Sequence, residues 1–148
     1  MTLEDKINAD IKSAMLAREK DKLEALRAIK SAVLLAKTEK LGAELSEDTE
    51  LKLLQKLVKQ RRESAEIYNA QNREDMANAE LFQAGIIEQY LPQQLSPEEI
   101  KTVLQKIISD TGANSAKDMG KVMGLASKEL AGKADGKTIS ALVKELLS

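Results

Sequence analysis

Both prolines of the chain, Pro92 and Pro97, lie in one short stretch, LPQQLSPEE at residues 91–99. A proline ring fixes φ and removes a backbone donor, so a helix cannot run through this stretch undisturbed. Pro92 also disfavours helix at Leu91. Ser96, Pro97 and Glu99 supply an N-cap, a first-turn proline and a capping-box acid, so a new helix begins there. The pattern predicts a domain boundary near Gln93, with an N-terminal domain over 1–92 and a C-terminal domain over 93–148. The second is small but within the range that folds alone, the more so when docked on a neighbour.

On both sides of this stretch apolar residues recur at helical spacing. Thr2 and Asp5 open a first helix carrying Leu3, Ile7, Ile11, Ala14 and Met15 to about Ala17. A second carries Leu23, Leu26, Ile29, Val33 and Ala36 and ends before Gly42. Ser46 caps a third, with Leu51, Leu54, Val58, Ala65 and Tyr68 facing inward, and after the polar run 69–75 a fourth buries Met76, Ala79, Phe82, Ile86 and Tyr90. Beyond Pro97, Ile100, Val103, Leu104, Ile107 and Ile108 define a fifth helix closed by Gly112. Ser115 and Asp118 start a sixth that Gly132 stops, and Asp135 caps a seventh built on Ile139, Leu142, Val143 and Leu146. No segment alternates with period two, so no strand is expected. The fold class is all-α: an N-terminal bundle of about four helices, then a small C-terminal three-helix domain.

Composition narrows the chemistry. There is no cysteine and no histidine, which removes disulfides, thiolate nucleophiles, imidazole bases and nearly all zinc sites. Nucleophilic catalysis would rest on lysine, carboxylate or hydroxyl groups alone, and no such group sits in a recognisable catalytic pattern. The expectation is no catalytic residue, no metal and no cofactor. A net charge of −1 gives no global pull toward nucleic acid or membrane, so any such binding is local. The N-terminus has no signal-like apolar core and no apolar run reaches membrane-spanning length, so the chain reads as soluble and cytoplasmic, with no membrane partner.

Local charge and backbone freedom meet at residues 120–137, GKVMGLASKELAGKADGK, which hold Gly120, Gly124, Gly132 and Gly136 among four lysines. GKADGKT at 132–138 is one residue too short between its first glycine and its Gly-Lys pair to be a nucleotide-binding P-loop, and a helix rather than a strand precedes it. Gly120 and Gly124, four apart on a helix, predict close approach of another helix, or of a ligand. Amides at the start of the last helix, with Lys133 and Lys137, suit a backbone phosphate, or form only a solvated helix joint. Base stacking is not expected, because 93–148 contain no aromatic residue. A second basic row, Lys52, Lys56, Lys59 and Arg62, falls roughly on one face of the third helix, as an RNA contact or as a solvated face.

EQYLPQQLSPEEI at 88–100, KDMGKVMG at 117–124 and GKADGK at 132–137, in this order, closely resemble the YqeY-like proteins across essentially the whole chain. That family (the GatB/YqeY domain) is similar to the C-terminal tail of the B subunit of the tRNA-dependent amidotransferase, which amidates Glu-tRNA(Gln) or Asp-tRNA(Asn). The resemblance implies an all-helical fold with a larger N-terminal and a small three-helix C-terminal domain. It also implies a role in holding tRNA, carried over to Lys121, Gly132, Lys133, Gly136 and Lys137. The turn Asp135-Gly136-Lys137 follows the free-standing proteins rather than the amidotransferase tail. The family label, carbon-nitrogen ligase activity with glutamine as amido-N-donor, belongs to an enzyme whose catalytic parts lie outside this domain. The expectation is a non-catalytic accessory protein that binds tRNA or other structured RNA. The alternative is a protein-interaction module that docks on an amidotransferase, translation or aminoacylation partner.

Overall fold

A computed structural model describes residues 2–148. Among them are seven α-helices, one 3-10 turn and no strand. The chain divides into two compact units, Met1–Leu91 and Pro92–Ser148. No helix among the described residues is long and apolar enough to cross a membrane.

The first unit holds α1 (Leu3–Ala17), α2 (Lys20–Glu39), α3 (Glu47–Ala70) and α4 (Glu74–Glu88). Thr2 and Asp5 close a capping box on α1, each side chain accepting the other's backbone N–H at 3.1 Å. Ser46 caps α3 through the Thr49 amide at 3.2 Å, and Glu47, Asp48 and Glu50 follow in its first turn, where the helix dipole favours negative charge. Helices α1 and α2 turn at Arg18 and α3 and α4 at Asn72, both in the left-handed region with φ of 59°. Asparagine tolerates that conformation better than most residues.

Ile7, Ala25, Leu26, Ile29, Val33, Leu54, Val58 and Ile87 form the core of this unit. Each large aliphatic side chain buried there contributes roughly 1.5–3 kcal/mol. α3 packs along α4, with Ala65, Ala77 and Ala84 buried at small cost in separation, and Arg61 Nε reaches Gln83 Oε1 at 3.3 Å between the two helices.

The inward face of α4 differs from the sequence expectation. Met76 and Phe82 are 40% and 48% exposed and Ala79 is exposed, while Ala77, Ala84, Ile86 and Ile87 are buried. This helix is apolar around most of its circumference, so periodicity does not single out a face. Packing against both α2 and α3 selects the side that carries Ala77, Ala84 and Ile87.

The second unit holds α5 (Pro97–Thr111), the 3-10 turn Ala116–Asp118, α6 (Met119–Glu129) and α7 (Gly136–Leu147). The Ser96–Glu99 capping box forms as expected, with bonds of 3.2 and 3.1 Å. Gly112 ends α5 at φ 71°. Ile100, Leu104, Val122, Ala126, Leu130, Ile139, Val143 and Leu147 make a separate core.

The sixth helix is shorter than expected at both ends. Ser115 makes no side-chain cap; a 3-10 turn intervenes, and Asp118 instead accepts the Asn114 amide at 3.1 Å. α6 ends at Glu129, before Gly132, because Leu130 is drawn into the core while its N–H still bonds to Ala126.

Candidate nucleic-acid interface

The link between α6 and α7 is a built turn. Gly132 is buried at φ 74°, a conformation that favours glycine, and its carbonyl accepts Gln94 Nε2 at 2.6 Å. The Lys133 carbonyl accepts the Leu95 N–H at 3.0 Å, and the Lys133 N–H donates to Leu130 at 2.9 Å. Ala134 is buried beneath them. The strip preceding α5 thus clamps the turn, and the Lys133 side chain is left exposed.

Asp135 caps α7 by accepting the Lys137 amide at 3.4 Å. That carboxylate occupies the start of the helix, so the backbone amides there face a negative charge, while the side chains of Lys133 and Lys137 are exposed. Gly132 acts as the pivot of the turn. Gly136 is exposed at the first position of α7, and a Cβ there would meet nothing within 4 Å.

Gly120 and Gly124 do not serve helix contact. Both are exposed, and a Cβ at either would meet nothing within 4 Å. The buried side of α6 is Val122 and Ala126. At about 100° per residue, Gly120, Lys121, Gly124 and Lys128 fall within a single arc of about 100°. All four are exposed, which makes a low, glycine-floored face edged by lysine. Lys128 was not among the candidates from sequence; its spacing of seven from Lys121 is the signal that places it there. Among the described residues, Lys121, Lys128, Lys133 and Lys137 form no side-chain hydrogen bond or ion pair, whereas Lys101 of the same unit pairs with Glu145 at 3.2 Å.

The row on α3 is exposed as expected, but half of it is engaged. Lys52 lies 3.4 Å from Asp48 and Arg62 pairs with Glu88. Lys56 and Lys59 have no such partner among the described residues.

Fold and surface together define an all-helical protein whose smaller unit presents unpaired lysines around a clamped turn. The chain belongs to the YqeY-like family: the model of the family described as Yqey-like protein matches residues 4–147. It is similar to proteins named Altered inheritance of mitochondria protein 41, mitochondrial, from three yeasts. Identity is 31% over 70% of this chain for Vanderwaltozyma polyspora, 35% over 57% for Meyerozyma guilliermondii and 33% over 74% for Clavispora lusitaniae. The matched region spans 57%, 44% and 65% of those proteins' own length.

Proposed function

We propose that this protein is a non-catalytic accessory factor that binds structured RNA, tRNA foremost, through the α6 face and the α6–α7 turn. The observation that carries the reading is the set of exposed, unpaired lysines, Lys121, Lys128, Lys133 and Lys137, gathered on one small unit of a chain with no net basic charge. Lysines without acidic partners are the groups a phosphate backbone neutralises. The glycine floor of α6 lets that backbone come close, and without aromatic residues in this unit recognition rests on shape and phosphate spacing rather than on stacked bases. The resemblance to the tRNA-holding tail of an amidotransferase supports the same reading, and any carbon-nitrogen ligase chemistry would belong to a partner.

Filter binding of bulk tRNA across a salt series tests it. Binding should weaken steeply as salt rises, and Lys133→Glu with Lys137→Glu should abolish it while the helical signal is kept. Undetectable or salt-insensitive binding at low ionic strength would sink the proposal and favour the protein-docking alternative, as would a partner that stays bound after nuclease treatment. Location belongs to the same proposal. The sequence reading puts the chain in the cytoplasm, the yeast relatives are mitochondrial by name, and fractionation of cells expressing a tagged chain decides between them.

A further inference from the structure

In the first unit, a cavity of about 600 Å³ lies between the first turns of α1 and the first turns of α3, and Gln89 and Tyr90, just after α4, also line it. Its apolar part is Leu3, Ala9, Leu51 and Leu54. Its polar part is rich in acceptors: Asp10, Glu47 and Glu50 face one cation, Lys6.

These carboxylates differ in what already satisfies them. Asp10 accepts the Tyr90 hydroxyl, and burial, reinforced by that carboxylate, raises the Tyr90 pKa and keeps the phenol a donor. Glu50 is half-buried, yet its carboxylate takes no hydrogen bond or ion pair among the described residues. Burial raises its pKa first, then repulsion from Glu47 and Glu44, with Lys6 opposing. The cavity therefore offers an apolar surface and a partly buried carboxylate with no hydrogen bond or ion pair among the described residues, and Lys6 is the one cationic side chain in its described lining.

We propose that this cavity binds an aliphatic primary ammonium ion, the alkyl stem on Leu3, Leu51 and Leu54 and the ammonium group between Glu47 and Glu50. An anion would meet three carboxylates against one lysine, and a neutral apolar molecule would leave Glu50 without a partner. The same chemistry occurs in a free alkylamine and in a lysine side chain of another protein.

Titration of the full chain with n-pentylamine, followed by backbone amide NMR, tests the assignment, with n-pentanol as the neutral isostere and Nα-acetyl-lysine amide as the second source. Saturable shifts confined to residues 2–10, 47–54 and 89–90 are expected. Glu50→Gln should weaken binding about tenfold or more, the loss of one charge-assisted hydrogen bond at a partly buried site. Lys6→Met, which removes the competing cation, should strengthen it. Tighter binding of the lysine amide than of pentylamine would identify a protein side chain as the source. Shifts that never saturate, equal affinity in Glu50→Gln, or equal affinity for pentanol would overturn the proposal. Both variants alter surface-accessible side chains, and an unchanged helical signal establishes that they fold.

Discussion

The side-chain amide of Gln94 donates to the carbonyl of Gly132 at 2.6 Å, joining the strip before α5 to the turn before α7. Nothing local to either residue requires this bond. It holds Lys133 outward while Leu130 and Ala134 on either side are buried. Gly132→Ala should destabilise the chain by roughly 1–2 kcal/mol, the cost of a Cβ in a left-handed conformation. Gln94→Ala should cost about 1 kcal/mol, one net hydrogen bond. Urea denaturation of both variants measures these, and no change in Gly132→Ala would mean that the turn relaxes without strain.

Gly120→Ala and Gly124→Ala separate folding from binding. Each glycine sits in an exposed helix with open space where the Cβ would lie, so alanine should stabilise by about 0.5–1 kcal/mol. If RNA backbone rests on this face, the same substitutions weaken tRNA binding. A more stable protein that binds less well cannot be explained by unfolding. Unchanged affinity in the double variant would remove α6 from the interface.

The two basic surfaces should respond differently to charge reversal. Lys121→Glu and Lys133→Glu are expected to lower the slope of log affinity against log salt by about 0.7–0.9 for each phosphate that is no longer neutralised. Lys52 and Arg62 already have carboxylate partners, so reversing Lys56 and Lys59 should have the smaller effect. A larger loss of affinity from the α3 pair would relocate the interface to the first unit.

Glu50 gives a dependence on pH. Its folded pKa is raised by burial and by Glu47 and Glu44, so the folded chain holds that proton more firmly than the unfolded chain. Its contribution to stability is most favourable below the ordinary glutamate range and is lost as pH rises through the raised folded value. Glu50→Gln should therefore be more stable than the parent at neutral pH, and the difference should shrink on acidification. Thermal melts of both proteins across that range check the sign.

Helix termini were legible wherever a side chain bonds within its own turn. Thr2 with Asp5, Ser46, and Ser96 with Glu99 sit where sequence puts them, because a capping bond needs only residues three apart. The face of α4 was not legible, since Met76 and Ala77 are both apolar and only the neighbouring helices choose between them. The spacing of Gly120 and Gly124 was equally open: it permits a second helix, and whether one arrives is a matter of where α5 and α7 pack.

The sequence by itself determined that this chain is helical, where most helices begin and end, and that histidine and cysteine chemistry is absent. These follow from local periodicity, capping and residue identity. Tertiary structure alone decided that Gly132 is a buried pivot, that Glu88 engages Arg62 of the α3 row, and that a cavity lies between α1 and α3. Each depends on contacts between residues distant in the chain or on the space left between helices, and neither has a signature of fixed spacing.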